Sequence, residues 1–349
     1  MRVSKGVGCF KGGWMALWLQ SLGAKVHGYA LKPPTEPNLF TVARVKAGMV
    51  ASTIADIRAI KALAGAIKAA HPAIIIHMAA QPLVRYSYDQ PVETYTTNVI
   101  GTVNVLECIR QTPSVKAAVI ITTDKCYENR ELRSGYKETA PLGGYDPYSS
   151  SKACAELVTA AYRRSFLGAP GRTIGIATAL AGNVIGGGDR SADSLIPDFL
   201  WAHERGQALR IRAPKAVRPW QHVLEPLAGY LRLAECLCTD GGAYAEAWNF
   251  GPADTDARTV RWIVERLAAA TPGAAWKCEQ QPQPQPHETH FLKLNSHKAR
   301  TRLGWQPRWR LETALDKTLA WYAACRQGAD MHAVSLAQIA EYNTGDTAL

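Results

Sequence analysis

The chain has 349 residues, of which 47% are hydrophobic and 20% are charged. This composition is typical of a globular protein and leaves room for one large or two modest domains. The formal net charge is +11, but the basic residues are dispersed, and the densest local group (Arg210, Arg212, Lys215 and Arg218) is short and interrupted by Pro214. An anionic small substrate explains this group at least as well as a polynucleotide does, so we expect no nucleic-acid partner.

The cysteine pattern and the N-terminal residues indicate the cellular compartment in which the protein is expected. The eight cysteines are scattered without any C-x-x-C pair, which favours reduced thiols over a zinc site or a disulfide framework. Residues 1–14 lack the apolar segment of a signal peptide, and the longest apolar runs, such as Ala117–Ile121, have the length of a strand. We therefore expect a cytoplasmic protein with no metal and no membrane partner.

Short β-rich runs alternate with longer helical stretches along the first half of the chain. The predicted strands are Lys25–Leu31, Ala73–Ala80, Val115–Thr123 and Thr173–Ala181, and the predicted helices include Val92–Gln111 and Tyr148–Leu167. This alternation predicts an α/β fold with a doubly wound parallel sheet, a Rossmann-like architecture.

The regular alternation of predicted strands and helices ends after Asn183. A glycine-rich loop, NVIGGGD (183–189), precedes a proline-interrupted region, QQPQPQP (280–286) reads as an extended connector, and helices are predicted at Arg300–Trp305 and Leu311–Ala324. We predict a dinucleotide-binding domain at 1–184, to which 222–250 returns, then a smaller C-terminal substrate-binding domain at 185–330 and a tail at 331–349.

The strongest local signal for chemistry is Y-S-S-S-K, from Tyr148 to Lys152. Residues four apart lie on one face of a helix, so the phenol and the ammonium point the same way. A nearby positive charge lowers the pKa of a phenol, which suits Tyr148 to remove an alcohol proton during hydride transfer. This helix follows a strand that ends in Thr122-Thr123-Asp124-Lys125, and ligands of open α/β sheets bind outside the carboxyl ends of strands.

With NVIGT (98–102) upstream, this pattern resembles the extended short-chain dehydrogenase/reductase superfamily. Within it, the chain is similar to the CDP-glucose 4,6-dehydratases over nearly its whole length. The similarity rests on several long blocks: HMAAQPLVRYSYDQPVETYTTNVIGTVNVLE, TTDKCYENRE, GGYDPYSSSKACAELV, AGNVIGGGD, RPWQHVLEPLAGYL, AEAWNFGP and ARTRLGWQPRW.

The resemblance implies a lyase that oxidises C4 of CDP-glucose with a held NAD, eliminates water across C5 and C6, and returns the hydride to C6. It implies that Tyr148 takes the C4 hydroxyl proton, that Lys152 lowers the pKa of Tyr148 and holds the nicotinamide ribose, and that Thr123 bonds the same hydroxyl. Asp124 would protonate the leaving C6 hydroxyl. Lys125 would remove the C5 proton, in the place where thymidine-linked sugar dehydratases carry a glutamate.

The resemblance also implies the binding residues. For NAD these are Gly6, Cys9, Phe10, Lys11, Gly12, Asp56, Ile57, Ala79, Ala80, Asn98, Tyr148 and Lys152, and for the nucleotide sugar they are Gln81, Arg85, Asn183, Arg218 and His222. Lys32, taken alone, would hint at NADP. A homodimer packed through helices 92–111 and 148–167, and a place in deoxysugar biosynthesis for lipopolysaccharide O-antigen, are implied too.

Two departures from the family pattern affect these expectations. The loop GVGCFKGGW (6–14) has Cys9 in the place of its middle glycine, unless Gly8 takes that role, and few apolar residues precede it. A Cβ there would intrude on the pyrophosphate, so we expect weaker dinucleotide binding than in the family. Leu180 stands where the family commonly has arginine. The alternatives left open are another nucleotide-sugar enzyme of this superfamily, such as a 4-epimerase or a dehydratase of another nucleotide sugar, and a catalytically impaired NAD-binding homologue.

Overall fold

A computed structural model describes residues 2–3, 10–168, 174–279 and 290–345 of the chain. Its strands are β1 (Arg2–Val3), β2 (Lys25–Ala30), β3 (Ala51–Ile54), β4 (Ile74–His77), β5 (Ala117–Ile121), β6 (Gly175–Ala181), β7 (Val184–Ile185), β8 (Leu209–Ile211), β9 (Val217–Pro219), β10 (Gln221–His222), β11 (Ala247–Phe250), β12 (Ala257–Thr259) and β13 (Trp276–Cys278).

The helices alternate with these strands in the first half and dominate the second. They are α1 (Phe10–Ser21), α2 (Leu39–Val42), α3 (Ile60–Ala70), α4 (Val84–Asp89), α5 (Pro91–Tyr95), α6 (Gly101–Arg110), α7 (Pro147–Tyr162), α8 (Leu195–Glu204), α9 (Leu224–Thr239), α10 (Gly241–Tyr244), α11 (Val260–Ala269), α12 (His297–Leu303), α13 (Leu311–Arg326) and α14 (Met331–Thr344). A π-helical turn at Thr96–Ile100 joins α5 to α6, and another at Arg163–Leu167 extends α7.

The strands form a parallel sheet in two hydrogen-bonded parts. One part has the order β1-β2-β3 and the other has the order β11-β6-β5-β4. Because β1 contacts β4, the order across the molecule is β3-β2-β1-β4-β5-β6-β11. The chain order reverses between β1 and β4, which is the switch point where ligands of such sheets bind. The predicted doubly wound parallel sheet is confirmed.

Both faces of the sheet are covered by helices, which explains why its central strands are continuously apolar. On β5, Ala117, Val119 and Ile121 belong to a core with α1 and α9, whereas Ala118 and Ile120 belong to a core with α3 and α6. All five residues of β5 are buried. The sheet therefore has a rigid centre, and β5 ends directly beneath the site described below.

The predicted strands and helices are confirmed with small shifts at their ends. The strand predicted at Ala73–Ala80 narrows to β4, and the helix predicted at Val92–Gln111 corresponds to α5, the first π turn and α6. The helices predicted at Arg300–Trp305 and Leu311–Ala324 correspond to α12 and α13. Thr173 and the connector 280–286 lie outside the described residues.

The C-terminal half returns to the sheet as well as forming small sheets of its own. Strand β11 pairs with β6, and α9 packs on β5 and β6. The pairs β7–β10, β9–β12 and β8–β13 form separate two-stranded sheets, and α14 packs on α1 and α13. The boundaries predicted at residues 184 and 330 remain a prediction.

Candidate active site

The site is built where β5 ends against α7. Asp146 caps α7 by accepting a hydrogen bond from Ser149 N, and Pro147 fits the first turn, where no partner for its nitrogen is needed. From this start, Tyr148, Lys152 and a glutamate, Glu156, recur every four residues and so share one helix face. This face lies on the last residues of β5 and the turn after it.

Three consecutive residues at the end of β5 bond the three residues of α7. Lys152 Nζ donates to the carbonyl of Ile121 at 3.0 Å. Thr122 Oγ1 donates a short hydrogen bond to Glu156 Oε1. The Thr123 side chain hydrogen-bonds the Tyr148 hydroxyl. The strand end and the helix are therefore locked in register, side chain by side chain.

Tyr148 is buried, with 8% of its surface exposed, and its backbone N–H donates to Ser87 Oγ at 3.1 Å. Burial raises the pKa of Tyr148 above its ordinary value, and the hydrogen bond with Thr123 opposes that rise. The predicted lowering of this pKa by Lys152 is a separate contribution and stays a prediction, while the net direction in the structure is upward. The reason is that burial outweighs every other influence on Tyr148.

Asp124 and Lys125 form a 3₁₀ turn capped by Thr123. Asp124 is 2% exposed; its Oδ1 accepts from Thr123 Oγ1 at 3.1 Å, and its Oδ2 has no partner among the described residues. Burial raises the pKa of Asp124, against the opposing charges of Lys125, Arg218 and Lys11. The Lys125 ammonium lies 6.0 Å from the centre of the Tyr148 ring. A buried carboxyl with a raised pKa, a lysine side chain and a phenol therefore lie together at the end of β5.

Asn98 organises the neighbouring strand end. It is 2% exposed and lies in the π-helical turn, where its Oδ1 accepts from Gln81 N at 2.8 Å and its Nδ2 donates to the Gln81 carbonyl at 3.0 Å. Nδ2 also donates to Ser151 Oγ at 2.9 Å, and Ser151 Oγ donates to the Tyr148 carbonyl at 2.7 Å. Asn98 therefore joins the loop after β4 to α7.

The other predicted cofactor residues lie along the carboxyl edge of the sheet. Ala79 and Ala80 follow β4, and Asp56 follows β3. The Asp56 carboxylate accepts three hydrogen bonds from the backbone and side chain of Arg58, which hold its pKa below the usual value. Ile57 is buried and packs against Gly101.

The start of α1 supplies the remaining predicted cofactor contacts. Phe10, Lys11 and Gly12 form its first turn. The charge of Lys11 acts on both Asp124 and Asp189, which places this turn beside the candidate active site. Gly6 and Cys9 lie outside the described residues.

The structure gives contacts for four of the predicted substrate residues. Arg218, on β9, is 8% exposed and its charge acts on Asp124. Arg85, on α4, faces Asp193 Oδ1 at 3.9 Å. The Asn183 carbonyl accepts from Gln221 N at 3.0 Å, beside β7. Gln81 binds Thr94 Oγ1 through its side chain, at 2.8 Å.

His222 occupies a different environment from the one expected. It is 0% exposed, its ring lies 4.9 Å from that of Trp309 and 6.2 Å from that of Trp14, and burial lowers its pKa to about 3. The ring packs between two tryptophans, and its Nε2 has no hydrogen-bond partner among the described residues, so a substrate contact at His222 stays a prediction.

Sequence reasoning missed Glu156, Ser151 and Ser87, which hold or surround Tyr148 and Lys152. The spacing of four from Lys152 to Glu156 could have indicated the first of them. No equivalent signal exists for Ser87, because it reaches Tyr148 from a separate helix, α4.

The described residues contain no group of three or more His, Cys, Asp or Glu able to hold a metal ion. In the described part of the chain, no helix is both long and apolar enough to span a membrane.

Comparison with known proteins agrees with this geometry. A profile of the GDP-mannose 4,6 dehydratase family matches residues 5–318. CDP-glucose 4,6-dehydratase of Salmonella typhimurium is 49% identical over 342 residues, which cover 97% of this chain and 94% of that protein.

Solved structures share the fold at lower identity. The dTDP-glucose 4,6-dehydratase of Streptomyces venezuelae, solved with NAD bound, matches this chain with a TM-score of 0.76 at 23% identity. The match covers 94% of this chain and 99% of the Streptomyces chain. The UDP-glucose 4-epimerase of Thermotoga maritima has a TM-score of 0.77 at 19% identity, with coverage of 93% and 100%. The profile match and the 49% identical relative establish that this chain belongs to the GDP-mannose 4,6 dehydratase family, within the extended short-chain dehydrogenases/reductases.

Proposed function

We propose that this protein converts CDP-glucose to CDP-4-keto-6-deoxyglucose and water, using a resident NAD. The observation that carries the proposal is the meeting of Tyr148, Lys152, Thr123, Asp124 and Lys125 at the end of β5, in a chain 49% identical to a CDP-glucose 4,6-dehydratase. A redox reaction needs the first three groups, and an elimination needs the acid and the amine in addition.

The residues along the sheet edge suit a dinucleotide. The ionised, partly exposed carboxylate of Asp56 can accept from an adenine or ribose donor, and Ala79 and Ala80 leave a floor of small side chains after β4. Asn98 fixes the loop above that floor, and Lys152 reaches the site from α7. When bound, NAD accepts a hydride from C4 of the sugar and returns it to C6.

The first step in our proposal is oxidation at C4. Tyr148 removes the proton of the C4 hydroxyl as the hydride leaves C4, and Thr123, which already bonds the phenol, donates to the developing ketone oxygen. Because burial raises the pKa of Tyr148, the ammonium of Lys152 on the same helix face is needed to stabilise the phenolate.

Elimination follows from the acidity that the C4 ketone gives to the C5 proton. Lys125 accepts that proton in its neutral amine form, which a depressed pKa would have to supply, and Asp124 donates its own proton to the C6 hydroxyl, which leaves as water. The raised pKa of Asp124 suits this role because it favours the protonated form of the carboxyl, which can act as an acid. Once C6 has received the hydride, a proton returned to C5 completes the product.

Substrate binding is assigned to the charged mouth of the site. Arg218 and Arg85 are suited to the pyrophosphate because a guanidinium can bond phosphate oxygens in pairs. Asn183, beside β7, and Gln81, in the loop after β4, complete the proposed contacts. No residue is assigned to the cytosine.

We also propose that the protein is a homodimer. Large apolar side chains are exposed on the two helical regions expected at the interface: Val92 (75%) and Ile100 (51%) on the α5–α6 side, and Leu157 (56%) and Phe166 (53%) on the α7 side. Pairing these faces with a second copy would bury them. A cytoplasmic location and a role in deoxysugar formation for lipopolysaccharide O-antigen complete the proposal.

The test is incubation of the purified protein with CDP-glucose in D₂O, with and without added NAD, followed by mass spectrometry of the product. A dehydratase gives a product lighter by one water and carrying one deuterium from solvent at C5. A 4-epimerase gives a product of unchanged mass. CDP-, dTDP-, UDP- and GDP-glucose are compared side by side.

The outcomes separate the candidates. Loss of water from CDP-glucose, absent in Tyr148→Phe, supports the proposal. If another nucleotide sugar loses water faster than CDP-glucose does, that sugar is the substrate. A product of unchanged mass would indicate an epimerase. If no product forms at saturating NAD, but forms in Cys9→Gly, the altered loop has impaired the enzyme.

A further inference from the structure

Glu156 is a buried carboxyl without a part in the proposed chemistry. It is 6% exposed and lies one helical turn beyond Lys152, with Thr122 donating to its Oε1. Burial raises its pKa, while the positive charges of Arg163 and Lys152 and the hydrogen bond from Thr122 act in the opposite direction. A carboxyl is costly to bury, so its presence behind the site calls for a physical reason.

A cavity of about 150 Å³ lies on the far side of Glu156, lined by Arg163 and Leu180 among others. It has room for several water molecules and offers them charged partners in Glu156, Arg163 and Glu138. Leu180 contributes no polar group to this wall. Water in the cavity would favour the ionised form of Glu156, because it would restore part of the solvation that the carboxylate loses on burial.

Among the charged groups around Glu156, Lys152 is the one whose pKa depends on whether Glu156 is ionised. Cys126 and Tyr127 follow β5 on the other side, but burial raises the pKa of both, so they stay neutral. Glu138 also lines the cavity, and Arg163, in the π-helical turn after α7, is partly buried, which lowers the pKa of its guanidinium. Lys152 is the titratable cation of this set that also faces the site.

We propose that Glu156 is a positioning residue: from the cavity side of α7 it keeps Lys152 charged and, through Thr122, keeps the end of β5 fixed against the helix. Each of the two opposite charges stabilises the other, and Lys152 is further held by the Ile121 carbonyl. The inference that this matters for turnover depends on the proposed function, whereas the inference about the charge of Lys152 does not.

The first test follows the Lys152 ammonium directly, by NMR of protein labelled with ¹³C at lysine Cε, with the Lys152 resonance assigned by its loss in Lys152→Arg. We expect Glu156→Gln, which keeps an acceptor for Thr122, to lower the titration midpoint of Lys152 by about one pH unit. Thr122→Val, the matched control, removes the hydrogen bond and keeps the carboxylate, so its midpoint should stay near that of the wild type.

An unchanged midpoint in Glu156→Gln, or equal shifts in both variants, would overturn the proposal. Glu156→Met, which has a similar length and no charge, carries the same expectation if the glutamine variant does not fold. For turnover, the alkaline limb of kcat should move to lower pH by the same amount in Glu156→Gln, with the acid limb in place. If Glu156 had only a structural role, its replacement would lower kcat by the same factor at every pH and would leave the pH of both limbs unchanged. A wild type that leaves CDP-glucose unchanged refutes the proposed function and leaves the NMR result to decide the role of Glu156.

Discussion

Replacing Glu225 by glutamine should destabilise the protein in a pH-dependent way. Glu225 lies on α9 with 0% of its surface exposed, and its carboxylate accepts from Arg308 N (3.0 Å), Trp309 N (2.7 Å) and the Tyr342 hydroxyl (2.8 Å). A glutamine can offer its oxygen to Arg308 and Tyr342 only by turning its NH₂ toward Trp309 N–H. One buried donor then has no acceptor, which costs about 2 kcal/mol of unfolding free energy.

The pH dependence follows from the carboxyl itself. Burial raises the pKa of Glu225 to about 7 from an ordinary value near 4.5, despite the three hydrogen bonds that oppose the rise. The folded state therefore binds a proton that the unfolded state has released. This contribution to stability is fully present below about pH 4.5 and is lost as the pH rises through 7. With 1.36 kcal/mol for each pKa unit, the loss amounts to about 3 kcal/mol.

Urea unfolding at pH 5, 6, 7 and 8 measures both effects. We expect Glu225→Gln to be less stable than the wild type by about 2 kcal/mol at pH 5, because a protonated carboxyl still presents oxygens to all three donors. The difference should shrink or reverse by pH 8. Glu235→Gln on the exposed side of the same helix should change stability by less than about 0.5 kcal/mol at every pH. A deficit for Glu225→Gln that is equal at all four pH values would refute the reasoning.

Four further predictions concern the proposed site and the dimer. Tyr148→Phe removes the base for the C4 hydroxyl and should lower kcat about a thousandfold in the mass-spectrometric assay, while NAD binding measured by calorimetry stays within about threefold. Asp124→Asn keeps the shape but supplies no acid, so water loss should fall about a hundredfold or more; turnover equal to that of the wild type would remove Asp124 from the mechanism. Cys9→Gly restores the glycine of the loop and should tighten NAD binding about tenfold by calorimetry, and a protein that is purified with one NAD tightly bound to each chain would contradict this expectation. Phe166→Glu places a charge in the exposed apolar surface of the turn after α7, and light scattering should then find monomers, whereas an unchanged dimer would move the interface elsewhere.

The fold could be predicted from the sequence because its determinants are local. Alternating β-rich and helical stretches identify the strands, and the uninterrupted apolar run in β5 indicates a strand covered on both faces. Part of the site is local too: the spacing of Tyr148 and Lys152 places them on one face of α7, and the residues after β5 must lie at the carboxyl edge of the sheet.

The features that sequence reasoning could not supply depend on distant residues. The environment of His222 is set by Trp14 and Trp309, which lie far from it and from each other in the sequence. The net direction of the Tyr148 pKa depends on how completely the phenol is buried, and no spacing of residues reveals that. The bond from Thr122 to Glu156 requires the register between β5 and α7, which only tertiary packing sets.

The contacts of α1 explain how the cofactor side of the site is held from the far end of the chain. Trp14 Nε1 donates to the Gly187 carbonyl at 2.8 Å, which ties the first helix to the glycine-rich loop after β7. One turn later, Trp18 meets the edge of Tyr342 on α14, and Tyr342 in turn donates to Glu225. Because α1 begins with the predicted cofactor residues Phe10 and Lys11, its orientation depends on this chain of contacts as well as on β1. Replacing Glu225 should therefore also change the orientation of α1 at the cofactor site, through the contacts of α14 with α1.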